Sequence, residues 1–116
     1  MRRNLTLLAA AALIALIGVS VWATSKIGIV PAIQALLADP AAGTNPWFIA
    51  TTFDAYFGFL WFWAWIAYKE TSNLARAAWL VLVLGLGNIA MAGYMLLQLR
   101  KLPAGAGAEQ LLLRRA

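Results

Sequence analysis

The sequence predicts an all-α fold: an integral membrane bundle of three transmembrane helices, with a short interfacial helix between the first and second. Three observations carry this expectation. The chain is 64% hydrophobic and 11% charged, against about 25% charged residues in an ordinary water-soluble domain. At 116 residues, a globule could not hide so much apolar surface from water. The apolar residues also gather into long runs closed by basic residues, which is how spans are anchored at a bilayer edge.

The first run, residues 5–23, follows Arg2 and Arg3. At about 1.5 Å per residue it can cross a hydrocarbon core of about 30 Å. A cleaved signal sequence is the rival reading, but the run is longer than the usual apolar region of about 7–15 residues. Residues 27–38 are apolar, too short to cross and interrupted by Pro31, so they are expected to lie at the interface or form a re-entrant turn. The turn-forming stretch "DPAAGTNP" then leads to a second span, 47–68, with Thr44 or Asn45 as cap and Pro46 in the first turn. A third span, 77–99, is stopped by Arg100 and Lys101, and a basic tail, 100–116, is expected to rest on anionic lipid. Residues 1–116 thus read as one membrane domain, multi-pass in the cell membrane.

Three straight spans make orientation nearly neutral. Arg2, Arg3, Lys69 and Arg76 would share one side, and Lys26, Arg100, Lys101, Arg114 and Arg115 the other. Arg2 and Arg3 against Lys26 favour a cytoplasmic N-terminus.

Composition also narrows the chemistry. Without cysteine or histidine, the chain lacks thiolates, the usual zinc ligand sets, histidine-held haem and the commonest general base. No cofactor is expected. The net charge of +5 sits at span ends rather than in a stripe, which argues against nucleic-acid binding. The expected partners are the lipid bilayer and further copies of the chain or a larger membrane complex.

One acid stands out. Asp54 lies inside the second run, where a carboxylate is costly and should face the bundle or a wet cavity. On a helical wheel, Trp47, Thr51, Asp54, Gly58, Trp61, Trp65 and Tyr68 share a stripe, read here as the inward face. On the third run, Gly87, Met91, Tyr94 and Gln98 form a polar arc with Asn88 at its edge. Ala78, Gly85 and Ala92 form a small-residue line suited to docking. If the two spans are antiparallel, Asp54 and Tyr94 come level, about 9–10 Å below the same face. Ser20 of the first span reaches a similar depth. Asp54, Tyr94, Asn88, Ser20 and Thr51 are therefore the candidate intramembrane cluster. It reads either as polar glue between helices or as a protonatable site, unless Asp54 is simply hydrated near the interface. Tyr68, Lys69 and Glu70 are candidate membrane-edge residues, with a solvated cap and anchor as the plainer reading.

From Asn45 onward, the stretch "NPWFIATTFDAYFGFLWFWAWIAYKE" resembles a family of small multi-pass membrane proteins, the domain-of-unknown-function family numbered 1475. The resemblance rests on Pro46, Trp47, Ala50, Thr51, Asp54, Tyr56, Trp65, Tyr68, Lys69 and Glu70, with Trp79, Tyr94 and the leucine–arginine ending similar as well. It implies a fold and a membrane location, and no reaction.

The leading functional reading is a non-enzymatic subunit, assembly factor or lipid-associated scaffold. The alternative is a small oligomeric transporter or proton-coupled permease with Asp54 as its protonatable group. A lipid-directed enzyme ranks last. The chain has no paired carboxylates within a span, and Asp54 and Glu70 lie about 24 Å apart along one helix.

Overall fold

The computed structural model describes residues 1–114, and these form seven helices without a strand. Residues 115 and 116 of the expected tail lie outside the described residues. The first helix, α1 (Arg2–Lys26), is 25 residues long and, near the N-terminus, is long and apolar enough to cross a membrane. A signal sequence would meet the same criterion. Two short helices follow, α2 (Ile29–Ala38) and α3 (Pro40–Gly43). Pro31 falls in the first turn of α2, where the missing N–H would have had no helical partner. Asp39 caps α3, its carboxylate accepting from the Ala41 amide at 3.0 Å.

The next helix, α4 (Pro46–Lys69), has 24 residues and begins as the sequence suggests. Asn45 Oδ1 accepts from the amides of Trp47 at 2.9 Å and Phe48 at 3.4 Å, and Pro46 occupies the first position. The helix is long enough to cross a bilayer, but its threonines, tyrosines, tryptophans and Asp54 make it less apolar than α1.

The expected third span is not one helix. Residues 77–99 divide at Gly87 between α5 (Asn73–Leu86) and α6 (Asn88–Lys101), each of 14 residues. Gly87 has φ +58° and ψ −125°, a conformation that glycine adopts and residues with a Cβ avoid. Its N–H donates to Val83 O at 2.7 Å, and its carbonyl accepts from the Met91 amide at 3.1 Å. Gly87 itself is buried, and these two bonds satisfy its own backbone groups. The chain doubles back there. Trp79 and Tyr94 would be about 22 Å apart on a straight helix, yet their rings pack with centroids 4.8 Å apart. Each arm is about 21 Å long, too short for a bilayer core of about 30 Å.

The reversal sets the remaining topology. α6 runs alongside α4 in the same direction: Phe59 lies at Gly87, and Phe62 and Trp65 pack on Tyr94. α1 runs antiparallel to α6, with Leu5 beside Met95 and Ile17 beside Ile89. Ala9 and Ala92 are buried, since alanines on the facing surfaces permit close approach. The small-residue line of the sequence reading is thereby split. Ala92 meets α1 within the chain, while Ala78 and Gly85 stay exposed on α5.

The main core gathers Ile66, Val83, Ala90 and Tyr94, with Phe59, Phe62, Trp63, Trp65, Trp79 and Met91 packed around them. On α4 the residues Phe59, Phe62, Trp63 and Ile66 follow i, i+3, i+4, i+7 spacing, so they form the true inward face. A final short helix, α7 (Ala108–Leu112), buries Leu111 against Leu99 and Leu102.

A Cβ at position 87 would lie 2.8 Å from Phe59 Cζ, on a backbone conformation already unfavourable to it. Gly87→Ala should therefore cost at least about 1–3 kcal/mol. Thermal unfolding in detergent checks this, and adding Phe59→Leu should recover only the steric part. A Gly87→Ala protein as stable as the parent would mean that the reversal is not required.

Candidate functional site

The polar groups concentrate at the end of the bundle where α4 stops, α5 starts and α6 returns. Arg76, one turn into α5, closes the α4 terminus. Its guanidinium donates to Ala67 O at 2.8 Å, Glu70 O at 2.7 Å and Asn73 Oδ1 at 2.8 Å. The last carbonyls of a helix have no helical donor, and a cation there also meets the negative end of the helix dipole. Trp63 Nε1 completes the joint by donating to Arg76 O at 3.0 Å. Tight corner and helix cap are one set of bonds.

The tail is fixed to the same place. Lys69 Nζ donates to Leu111 O at 2.6 Å and Leu113 O at 3.1 Å, and Trp65 Nε1 to Leu112 O at 3.0 Å. The Arg114 guanidinium donates to Tyr68 O at 2.5 Å and lies over the Tyr68 ring, 5.2 Å from its centre. At the other terminus, Arg2 donates to Leu102 O at 2.9 Å. Arg2, Arg3, Lys69, Arg76, Arg100, Lys101 and Arg114 thus share one end of the bundle, and Lys26 alone among the described basic residues sits at the other.

Glu70 stands within this collar. Its Oε1 accepts from the Tyr94 phenol at 3.0 Å. The Tyr94 ring is buried, held edge-on by Trp79, Trp65 and Phe62 at centroid distances of 4.8, 5.5 and 6.4 Å. Edge-to-face aromatic pairs are favoured beyond simple burial, so the phenol is aimed by its packing. Above the pair, a cavity of about 260 Å³ opens between Lys69, Glu70 and Thr71 on one side and Gln98 and Lys101 on the other, with Gln110 and Leu102 completing its wall.

The structure separates the residues that the sequence reading grouped. Asp54 is exposed on α4, five residues before Phe59 and so about 7 Å beyond the hairpin tip. Tyr94 lies on the opposite side of that tip, bonded to Glu70. A straight third span would have run against α4 and brought the two level; the turn at Gly87 reverses α6 and moves Tyr94 to the other end. Asn88 is exposed beside the apolar groove between α1 and α6, and Ser20 lines a shallow groove with Ile89. Thr51 donates to Trp47 O within its own helix at 2.8 Å. Most of the stripe read as inward faces out, with Trp47 81% and Trp61 79% exposed, while Trp65 packs on the core.

Tyr68, Lys69 and Glu70 do lie together, as tail-binding and Tyr94-binding groups rather than as a bare cap. Arg76, Trp63 and Gln98 were not among the site candidates drawn from sequence. A cation shortly after a helix stop was a legible signal for Arg76. Gln98 lay on the polar arc already drawn through Gly87 and Tyr94, and all three are buried.

The chain belongs to the family described as Protein of unknown function (DUF1475), whose pattern it matches over residues 10–114. No curated protein and no solved structure matches it.

Tyr94→Phe keeps the aromatic packing and removes only the phenol. It should lower stability by about 1 kcal/mol, measured by thermal unfolding in detergent. A double-mutant cycle with Glu70→Ala should give a coupling above about 0.5 kcal/mol; strict additivity would show that the bond contributes nothing.

Proposed function

We propose that this chain is a small, non-enzymatic integral membrane subunit, with its basic end in the cytoplasm, that completes its helical bundle by assembling with a second copy or a larger membrane protein. The observation that carries this reading is the bareness of one half of the molecule. Every residue from 46 to 58 is exposed, with Asp54 in the middle of the run. The hairpin ends near Phe59 and offers this segment no neighbour. A carboxylate facing hydrocarbon is costly, so a membrane helix carrying one is expected to cover it with protein or water.

In this reading α1 and α4, about 37 and 36 Å long, cross the bilayer. α2 and α3 lie at the far interface, and the α5–α6 hairpin dips in and returns to the face it left. Basic residues on the cytoplasmic side fix orientation, and seven of the described ones share the end that holds the N-terminus. The near-tie expected from three straight spans becomes a strong bias, because Arg100, Lys101 and Arg114 change sides.

The same exposed Asp54 supports the second reading, a proton-coupled permease in which it carries the proton across an oligomer interface. Asp54→Asn separates the two. Under the subunit reading it assembles and supports growth like the parent; under the permease reading it assembles but loses transport.

Two measurements test the main reading. The chain has no cysteine, so single cysteines report cleanly. Thr71→Cys and Lys101→Cys should both react with impermeant thiol reagents only from the cytoplasmic face, and Thr44→Cys only from the opposite face. Labelling of positions 71 and 101 from opposite faces would restore three straight spans and overturn the arrangement. A photocrosslinker at position 51 in native membranes should give a discrete adduct with a second copy or one partner, and a uniformly monomeric product would refute assembly through this face.

A further inference from the structure

We propose that the cavity between Glu70 and Lys101 binds the headgroup of a phospholipid that bears both a phosphodiester and a primary amine. The inference rests on the membrane-embedded reading above and names a ligand for the end of the bundle which that reading leaves undescribed.

Three features of the cavity point to a ligand. Gln98 is only 8% exposed, lines the cavity and has no hydrogen-bond partner among the described residues. No buried side-chain nitrogen or oxygen of the described residues is left without a partner, so the amide keeps its accessible surface, and Gln98 lines the cavity. A primary amide offers two donors and one acceptor, and here these are left to a ligand. Lys101, on the same wall, has no ion-pair or hydrogen-bond partner among the described residues. Across the cavity, Glu70 uses Oε1 for the Tyr94 phenol, which leaves its second oxygen as an acceptor. One wall thus presents a cation with amide donors, and the other a carboxylate whose neighbour Lys69 is already engaged by Leu111 O and Leu113 O.

That pairing selects the ligand. A phosphodiester suits Lys101 and the Gln98 N–H groups. A primary ammonium carries three N–H donors, which suit Glu70 and the Gln98 carbonyl. A trimethylated amine has no N–H to donate, and a glycerol or inositol headgroup would place an uncharged group against the carboxylate. The volume of about 260 Å³ falls just under the range of about 300–1,000 Å³ for sites that enclose drug-sized ligands, so it fits a small headgroup. Lys69 and Lys101 close α4 and α6 beside it, which sets the cavity at headgroup depth.

The test uses the full chain in mild detergent, with lipids of identical acyl chains and phosphoethanolamine, phosphocholine or phosphoglycerol headgroups, and native mass spectrometry as readout. The parent should retain the phosphoethanolamine lipid at least about tenfold over the other two. Glu70→Gln keeps an acceptor for Tyr94 and should abolish the preference over the phosphoglycerol lipid without abolishing phospholipid binding. Lys101→Gln, at an exposed position that should not perturb folding, should weaken retention of all phosphodiester lipids. Soluble phosphoethanolamine should compete at concentrations where inorganic phosphate does not. Equal retention of the three lipids by the parent, or an unchanged preference in Glu70→Gln, would overturn the proposal. Extraction of the chain by carbonate without detergent would instead overturn the membrane reading, and competition by phosphoethanolamine would then still test the cavity separately.

Discussion

A buried reversal of the backbone at one glycine governs this structure. Gly87 takes a conformation that side chains disfavour, and Phe59 occupies the space a Cβ would need. The two conditions support each other. The turn brings the ring against the backbone, and the ring fills the space beside it. From that point α6 runs beside α4 instead of against it, which decides what α1 packs on and which end receives the tail.

The molecule consequently has two unlike halves. At one end, Arg76, Lys69, Trp63 and Trp65 tie three chain segments together through backbone carbonyls, with Arg2 binding the fourth. Most of these contacts involve a cation or an indole donor meeting a helix-terminal carbonyl, a group that has no partner of its own inside its helix. At the other end, two long helices extend past the hairpin, and α4 is exposed from residue 46 to 58. Ordered corner and bare extension follow from the same fact: arms of about 21 Å cannot cover partners of about 36 Å.

The two acids of α4 have different roles for the same reason. Glu70 stands at the helix end beside a buried phenol, among basic residues. Asp54 stands past the tip of the hairpin and meets no described side chain by hydrogen bonding. Tyr94 goes with Glu70 because a carboxylate at the polar end can accept its hydroxyl while the ring stays among Trp79, Trp65 and Phe62.

Much was legible locally. Asn45 and Pro46 announce the start of α4, Arg2 and Arg3 the start of α1, and Arg100 and Lys101 the end of α6, since caps and charges act on neighbouring backbone. The arc of Gly87, Tyr94 and Gln98 was legible as a shared face. The break was not. "LGLGN" lies within an apolar run, and a glycine inside a helix costs only about 1 kcal/mol, too little to forecast a stop. Nor could the wheel of α4 reveal its inward face, because tryptophan stripe and phenylalanine stripe are both apolar and their order depends on what packs against them. By itself, then, the sequence determined an all-helical chain with one strongly apolar N-terminal helix and the positions of its polar ends. Tertiary structure alone decided the direction of α6, because a reversal at glycine is stabilised by a ring 28 residues away, and no local pattern records that contact.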